Sequence, residues 1–511
     1  MLFTSYSFIG FVLILLCAYY ILPKRFQKIV LFVGNIIFYA LSGVTNLIFL
    51  CVTILSTYSA ARVVGGNLEA QKAFLKEHKT DMEREEKKAY RAKEKKKRKR
   101  ITSLAVILNV ALLALVKFPN NFFMFVMPMG ISFYTLMSLG YLLDVYRETQ
   151  KAEKNLFHYA LFVSYFPQLV QGPISRFGEL SETLLVEHDF QWKNISFGLY
   201  RILWGFFKKL VIADRLSVAV GTISGDFATY NGAYIFLEMV LYTIQIYADF
   251  SGGIDITIGV SEMLGIHVTE NFIRPYFSKS LKEYWRRWHI TMSTWFRDYL
   301  FYPISITPAM QNFSKFLRKH LGDRAGKRLP VYLASLIVWF VTGIWHGTTS
   351  NFIVWGLINY LILMVSEELE PLYERFHEKV LPGNTKGWKF FQVFRTMFIL
   401  LFLKLFDCYP TAKEVFTAIG SAFTFTKTSE VISGGWLALG LSLTDYIVVA
   451  CGVFTMLYVS LIQRRESVRV QISKKPFAFR AGVGMALFLV VLIFGAYGVG
   501  YDASQFIYNR F

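Results

Sequence analysis

Apolar residues along this chain gather into long blocks: Phe8–Ile21, Ile101–Val116, Tyr234–Tyr247, Val331–Trp345, Phe352–Val365, Met397–Phe406, Tyr446–Ile462 and Ala481–Val499. The pattern within them is nearly unbroken, neither the two-residue alternation of a half-buried strand nor the single stripe of a surface helix. It predicts helices buried in lipid on most sides. Several blocks fall short of the roughly 20 residues that a plain spanning helix needs, so tilted, broken or re-entrant helices are expected. FPQLVQGPISRF (Phe166–Phe177) interrupts the pattern with Pro167, Gly172 and Pro173, which predicts a buried irregular loop or half-helix. Residues 195–220, with Lys208, Lys209, Asp214 and Arg215, read as an amphipathic helix along the membrane interface. Residues 370–390 and 410–445 read as polar or Gly/Ser-rich connections.

Composition agrees with the pattern. Of 511 residues, 54% are hydrophobic and only 18% charged, which removes a soluble globular protein from consideration. The net charge of +20 does not point to nucleic acid, because the basic residues sit in short clusters between apolar blocks. Pro23–Lys28, Lys72–Arg100, Lys315–Arg328 and Arg464–Lys475 read as cytoplasmic loops. The N-terminal block lacks a basic start and a small-residue cleavage site, so it is expected to be a retained first helix with Met1 outside. One membrane domain over residues 1–511 is expected, with a charged cytoplasmic arm at 66–100 inserted in it. That arm is either a docking site for a soluble partner or acidic lipid, or a plain juxtamembrane extension. Cys17, Cys51, Cys408 and Cys451 show no pairing pattern and imply neither a disulfide framework nor a zinc site.

Three segments carry candidate chemistry. On a helix, Trp285, Trp288, His289, Met292 and Phe296 of Lys282–Leu300 would share one face, with Arg286, Arg287, Ser293 and Arg297 elsewhere. Such a helix either aims its arginines at a phosphorylated donor or is an aromatic-belt helix with snorkelling arginines. In Val331–Val365, Gly343, Gly347 and the polar run Thr348–Asn351 split the stretch into two arms of about 15 residues, each roughly 22 Å long. Both arms should start from the cytoplasm, placing the tip below the outer surface and His346 at the floor of an outward-facing recess. A histidine at that depth is a functional candidate or a structural one bonded to a neighbouring helix. In Gln245–Gly259, Asp249 and Asp255 lie in an apolar run. Asp249 would orient a histidine or an arginine, or have a purely structural partner.

WRRWHITMSTWFRDYL, TGIWHG followed by FIVWG, FPQLVQGPISR and YADFSGGIDITIG together resemble the membrane-bound O-acyltransferase family. FTSYSFIGFVLILLCAYYIL at the N-terminus and SQFIYNRF at the C-terminus resemble its bacterial branch, which includes the alginate O-acetyltransferase membrane subunit. The likeness runs end to end. It departs at LKLFDCYPTAKE (Leu403–Glu414) and in the length of the arm at 66–100.

The resemblance implies an all-α polytopic fold, a ring of transmembrane and re-entrant helices around a thinned core with an extracellular funnel. It implies acyl transfer from a cytoplasmic thioester, acetyl-CoA or another, to hydroxyls of an exported or cell-wall polysaccharide. No bound cofactor and no metal would be needed. The family's two functional histidines fall on His289 and His346, with His346 matching the invariant one. His346 would be the general base and His289 would stabilise the oxyanion or position the donor. Arg286 and Arg287 would meet the donor's phosphates, and Trp285, Trp288, Asp249 and Asn351 would complete the substrate-binding set. An extracytoplasmic SGNH-type acetyltransferase or esterase would be the partner. D-Alanyl transfer to teichoic acid is the same-chemistry alternative, and a proton-coupled transporter or flippase is the alternative from another class.

Overall fold

The computed structural model describes residues 3–117, 128–379 and 385–497. The C-terminal SQFIYNRF lies outside the described residues. Among those described the chain is helical, with one isolated bridge between Phe272 and Trp288 as its extended pairing. Six helices are long and apolar enough to cross a membrane: Asn46–Glu77, Arg84–Lys117, Pro308–His346, Ser350–Glu368, Leu443–Ile462 and Phe477–Phe494. The chain forms two compact units, one of Phe3–Ser196 with Val260–Thr269, the other of Phe197–Gly259 with the chain from Glu270 onward.

The first unit holds α1 (Tyr6–Ile21), α2 (Gln27–Ala40), α3 (Asn46–Glu77), α4 (Arg84–Lys117), α5 (Ile131–Tyr146), α6 (Leu156–Val163), α7 (Phe166–Gln171) and α8 (Phe177–Leu184). α3 buries Thr57, Ala60, Ala61, Val64, Leu68 and Gln71, a stripe at three- and four-residue spacing. At 1.5 Å per residue, α3 and α4 run about 48 and 51 Å, so both outreach a hydrocarbon core of about 30 Å. Their distal halves are the charged arm. Arg98 donates to Asn67 at 2.8 Å and Gln71 at 2.9 Å, and Asn67 donates to Glu94 at 2.5 Å. This buried network stitches the two helices together. The break expected at Phe166–Phe177 is present: α7 stops at Gly172, whose missing Cβ would lie 2.2 Å from Gln168 Cα.

The second unit holds most of α9 (Trp192–Phe206), which passes through a π-helical turn at Phe207–Ala213 into α10 (Asp214–Gly225), and most of α11 (Ala233–Met263). Glycines let α9 and α11 touch backbone to backbone. A Cβ on Gly205 would stand 2.6 Å from the Gly252 carbonyl oxygen, and one on Gly259 2.7 Å from that of Gly198. This crossing corrects the interfacial reading of 195–220. Lys208 and Lys209 are 4% and 1% exposed, because the π-turn rotates them toward the carboxylates of α11. After α12 (Leu281–Trp285), α13 (Ile290–Phe296) and α14 (Tyr302–Ser305) comes the hairpin of α15 (Pro308–His346) and α16 (Ser350–Glu368). Its arms exceed the expected 15 residues. Beyond the kink at Gly322, α15 continues for about 36 Å, and α16 runs about 28 Å, because polar residues flanking each apolar block stay helical. The connections expected at 370–390 and 410–445 also contain helices: α17 (Glu370–Lys379), the start of α18 (Lys386–Lys404), α19 (Ala412–Ala422) and α20 (Thr428–Ile432). α21 (Leu443–Ile462), α22 (Val468–Ser473) and α23 (Phe477–Phe494) complete the unit.

Candidate active site

His346 is the last residue of α15 and lies at the tip of the hairpin. Two glycines bring the arms together there. A Cβ on Gly343 would sit 2.6 Å from the Phe352 carbonyl oxygen, and one on Gly356 2.4 Å from that of Trp339. Asn351 fixes the tip: it donates to the Phe406 carbonyl at 2.8 Å and accepts from the Thr349 hydroxyl at 2.5 Å. Its buried amide therefore acts as a brace in this structure. The His346 ring, 7% exposed, stands edge-on to Trp345 and Trp355 at 4.9 Å each and stacks with Phe352 at 6.5 Å.

The aromatic segment Lys282–Leu300 is not one helix. α12 ends at Trp285, the chain turns, and His289 adopts a left-handed conformation (φ 46°, ψ 53°) before α13 begins. The turn is pinned by the preceding extended stretch. Ile273 N–H donates to Arg287 C=O at 2.9 Å, and Ile290 N–H to Asn271 C=O at 3.1 Å. The Asn271 side-chain oxygen accepts from the Thr291 amide and hydroxyl, both at 3.0 Å, and its amide nitrogen lies 3.1 Å from His289 Nδ1. With Nδ1 accepting from Asn271, the ring proton resides on Nε2. Burial, and secondly the Lys404 ammonium, push His289 down to a pKa of about 3, so its imidazole is neutral at any working pH.

The break separates the residues that a single helix face would have aligned. Trp288 turns inward, stacks with Tyr276 and Tyr284, and holds the Lys404 ammonium 4.3 Å from its ring centre. Trp285 packs edge-on to Trp339 and Trp355 and donates to Asn359 at 3.2 Å. His289 packs on Phe250 at 4.8 Å and on Trp345 at 6.1 Å. Trp345 thus bridges the two histidines, touching both rings.

Beside them lies a cavity of about 590 Å³ lined by Lys282, Trp285, Arg286, Met292, Arg297 and Trp339, among others. Arg286 faces it from an exposed position, whereas Arg287 is paired with Glu283 at 2.5 Å. The two arginines have different surroundings despite being adjacent. Asp249 binds Lys209 at 2.6 Å, which also reaches Asp214 at 2.7 Å. Asp255 pairs with Lys208 at 2.6 Å and with Arg201 at 2.9 Å. These ionic knots lock α9 and the π-turn onto α11.

Asn271, Asn359 and Lys404 escaped the sequence reading. Asn271 sits in a polar stretch with no periodic signal. Lys404 lies in LKLFDCYPTAKE, where the departure from the family pattern was visible but its consequence, a cation on Trp288, was not.

Ionisable side chains enclosed by helices of spanning length mark a multi-pass membrane protein whose core handles polar groups. Comparison with known proteins gives the class its family. The family model for the membrane-bound O-acyltransferases matches residues 93–308. A probable alginate O-acetylase of Pseudomonas syringae pv. tomato is 31% identical over 412 residues, covering 76% of this chain and 68% of that protein. A peptidoglycan O-acetyltransferase of Helicobacter pylori is 29% identical over 314 residues, 54% of this chain and 56% of that one. A teichoic acid D-alanyltransferase of Bacillus subtilis is 25% identical over 274 residues, 52% and 64% respectively. The chain spans about two thirds or less of the length of these relatives. It belongs to the membrane-bound O-acyltransferase family, as a multi-pass membrane enzyme of bacterial type.

Proposed function

We propose that the chain transfers an acyl group, acetyl foremost, from a cytoplasmic thioester to hydroxyls of an exported or cell-wall polysaccharide. The donor is acetyl-CoA or another acyl thioester, and delivery is direct or through an extracytoplasmic SGNH-type partner. The observation that carries this reading is the bridging of His289 and His346 by Trp345 in the core of one compact unit. The names of the acetylating relatives support the acetyl group and a polysaccharide acceptor.

In this reading His346 takes the proton from the acceptor hydroxyl as its oxygen attacks the thioester carbonyl carbon. The carbon–sulfur bond then breaks, and the departing thiolate takes the proton that His346 holds. His289, neutral with its proton on Nε2, donates to the carbonyl oxygen as negative charge collects there. Arg286, on the cavity wall, serves the donor's phosphates. Asp249 and Asn351 serve as braces and not as substrate contacts.

The test is ester content of envelope polysaccharide in cells lacking the chain, with and without complementation. Restored acetyl ester supports the reading. Restored D-alanyl ester instead supports the second reading, which the teichoic acid D-alanyltransferase relatives favour. If neither ester changes, acyl transfer to a polysaccharide fails.

A further inference from the structure

A second cavity, of about 480 Å³ and with Phe272 in its lining, lies between α9–α11 and the last three helices. Val459 on α21 and Val483 and Leu487 on α23 give the lining an apolar stretch, while Lys208, Ser251, Asp255 and Thr455 contribute polar groups to it. Arg274, Gln463 and Arg469 form the polar end. The helices that wall it face outward: only 11% and 6% of the most apolar stretches of α21 and α23 are buried within the chain. Helices so exposed are bathed in lipid tails.

The polar end carries two arginines, Arg274 and Arg469, the latter donating to the Phe197 carbonyl at 3.1 Å. The cavity's carboxylates are already engaged, Asp255 by Lys208 and Arg201, and Glu270 by Arg201 at 2.5 Å. Among the described residues no carboxylate pairs with Arg274, and its buried Nε finds no acceptor. Its guanidinium rests 4.5 Å over the Phe277 ring. Burial, followed by the nearby Arg287 and Arg464, lowers its pKa.

We propose that this cleft is a binding site for one anionic phospholipid, with its phosphate at Arg274 and Arg469 and an acyl chain along Val459, Val483 and Leu487. The proposal is independent of the acyl-transfer reading. A phosphate there supplies the acceptor that the Arg274 Nε lacks and neutralises the cluster. The tail fills an apolar groove that already opens to lipid.

The experiment measures phosphatidylglycerol retained by the purified full chain, by native mass spectrometry, against phosphatidylcholine. It is run on wild type, Arg274→Gln/Arg469→Gln and Val483→Trp, which fills the apolar wall without removing charge. Lys95→Gln/Lys96→Gln removes the same charge from the exposed arm as a control. Wild type and the arm variant should retain one phosphatidylglycerol selectively, and both cleft variants should bind it roughly tenfold more weakly or worse. Should the double arginine variant not fold, Val483→Trp decides alone. Equal retention by Val483→Trp and wild type, no preference over phosphatidylcholine, or full displacement by water-soluble glycerol phosphate would each overturn the lipid site.

Discussion

Replacing Asn271 by alanine removes the side chain that holds the turn before α13 in shape. Three contacts go: the acceptor for the Thr291 amide, the acceptor for its hydroxyl, and the amide beside His289 Nδ1. All three partners are buried. A buried donor left without an acceptor costs about 1–3 kcal/mol, and the hydroxyl can partly reorient, so the total loss of stability is about 2–4 kcal/mol. His289 also sits in a left-handed conformation that costs roughly 1–2 kcal/mol, which the clamp now offsets. Without it the ring loses both its position and its preferred tautomer. If Nε2–H steadies the developing oxyanion, transfer falls by about 10²- to 10³-fold. Asn271→Asp separates the two effects. It keeps an acceptor for Thr291 but offers His289 Nδ1 a carboxylate, which draws the ring proton to Nδ1 and raises the pKa from about 3. The assays are thermal unfolding in detergent and acetyl transfer from a labelled thioester. Asn271→Ala should lose both stability and transfer, whereas Asn271→Asp should stay folded and lose transfer. An Asn271→Asp protein with wild-type rate would refute the role given to the His289 tautomer.

Three further outcomes are expected. Lys209→Met removes the ammonium that binds Asp249 and Asp214 in the core and should destabilise by about 3–5 kcal/mol in a thermal melt, with Lys209→Met/Asp249→Asn recovering part of the loss. Gly356→Leu forces a side chain into the Trp339 carbonyl, so the α15–α16 hairpin should open and folded yield should collapse, as size-exclusion chromatography would read. His289 has a folded pKa of about 3 against an ordinary 6.5, so the unfolded chain binds the extra proton between those values. Its contribution to stability is fully present above pH 6.5 and is lost as the pH falls toward 3. Thermal melts at pH 7.5 and 4.5 should differ accordingly, and the difference should shrink in His289→Phe.

What could be read in the sequence was what a periodic or chemical rule governs locally. The apolar blocks, the hairpin turn at Gly347–Thr349 and the break after Gln171 follow from hydropathy, glycine and proline, and the structure has all three. The buried carboxylates Asp249 and Asp255 were visible as charges in an apolar run, but their partners were not. Lys208 and Lys209 looked solvent-facing because an α-helical period was assumed, and a π-turn rotates them inward. The face shared by Trp285, Trp288 and His289 dissolved for a similar reason. A non-local contact, Asn271 with Thr291 and His289, outweighs helix propensity and turns the chain at His289. Periodicity carries no record of such a contact.

The central claim is that His346 is the base of an acyl transfer. The direct measurement uses purified protein in proteoliposomes with a labelled acetyl thioester and an acceptor oligosaccharide, comparing wild type with His346→Ala. The account predicts ester formation by wild type and a rate at least about 10²-fold lower for His346→Ala, with thioester affinity unchanged. Equal rates would contradict it.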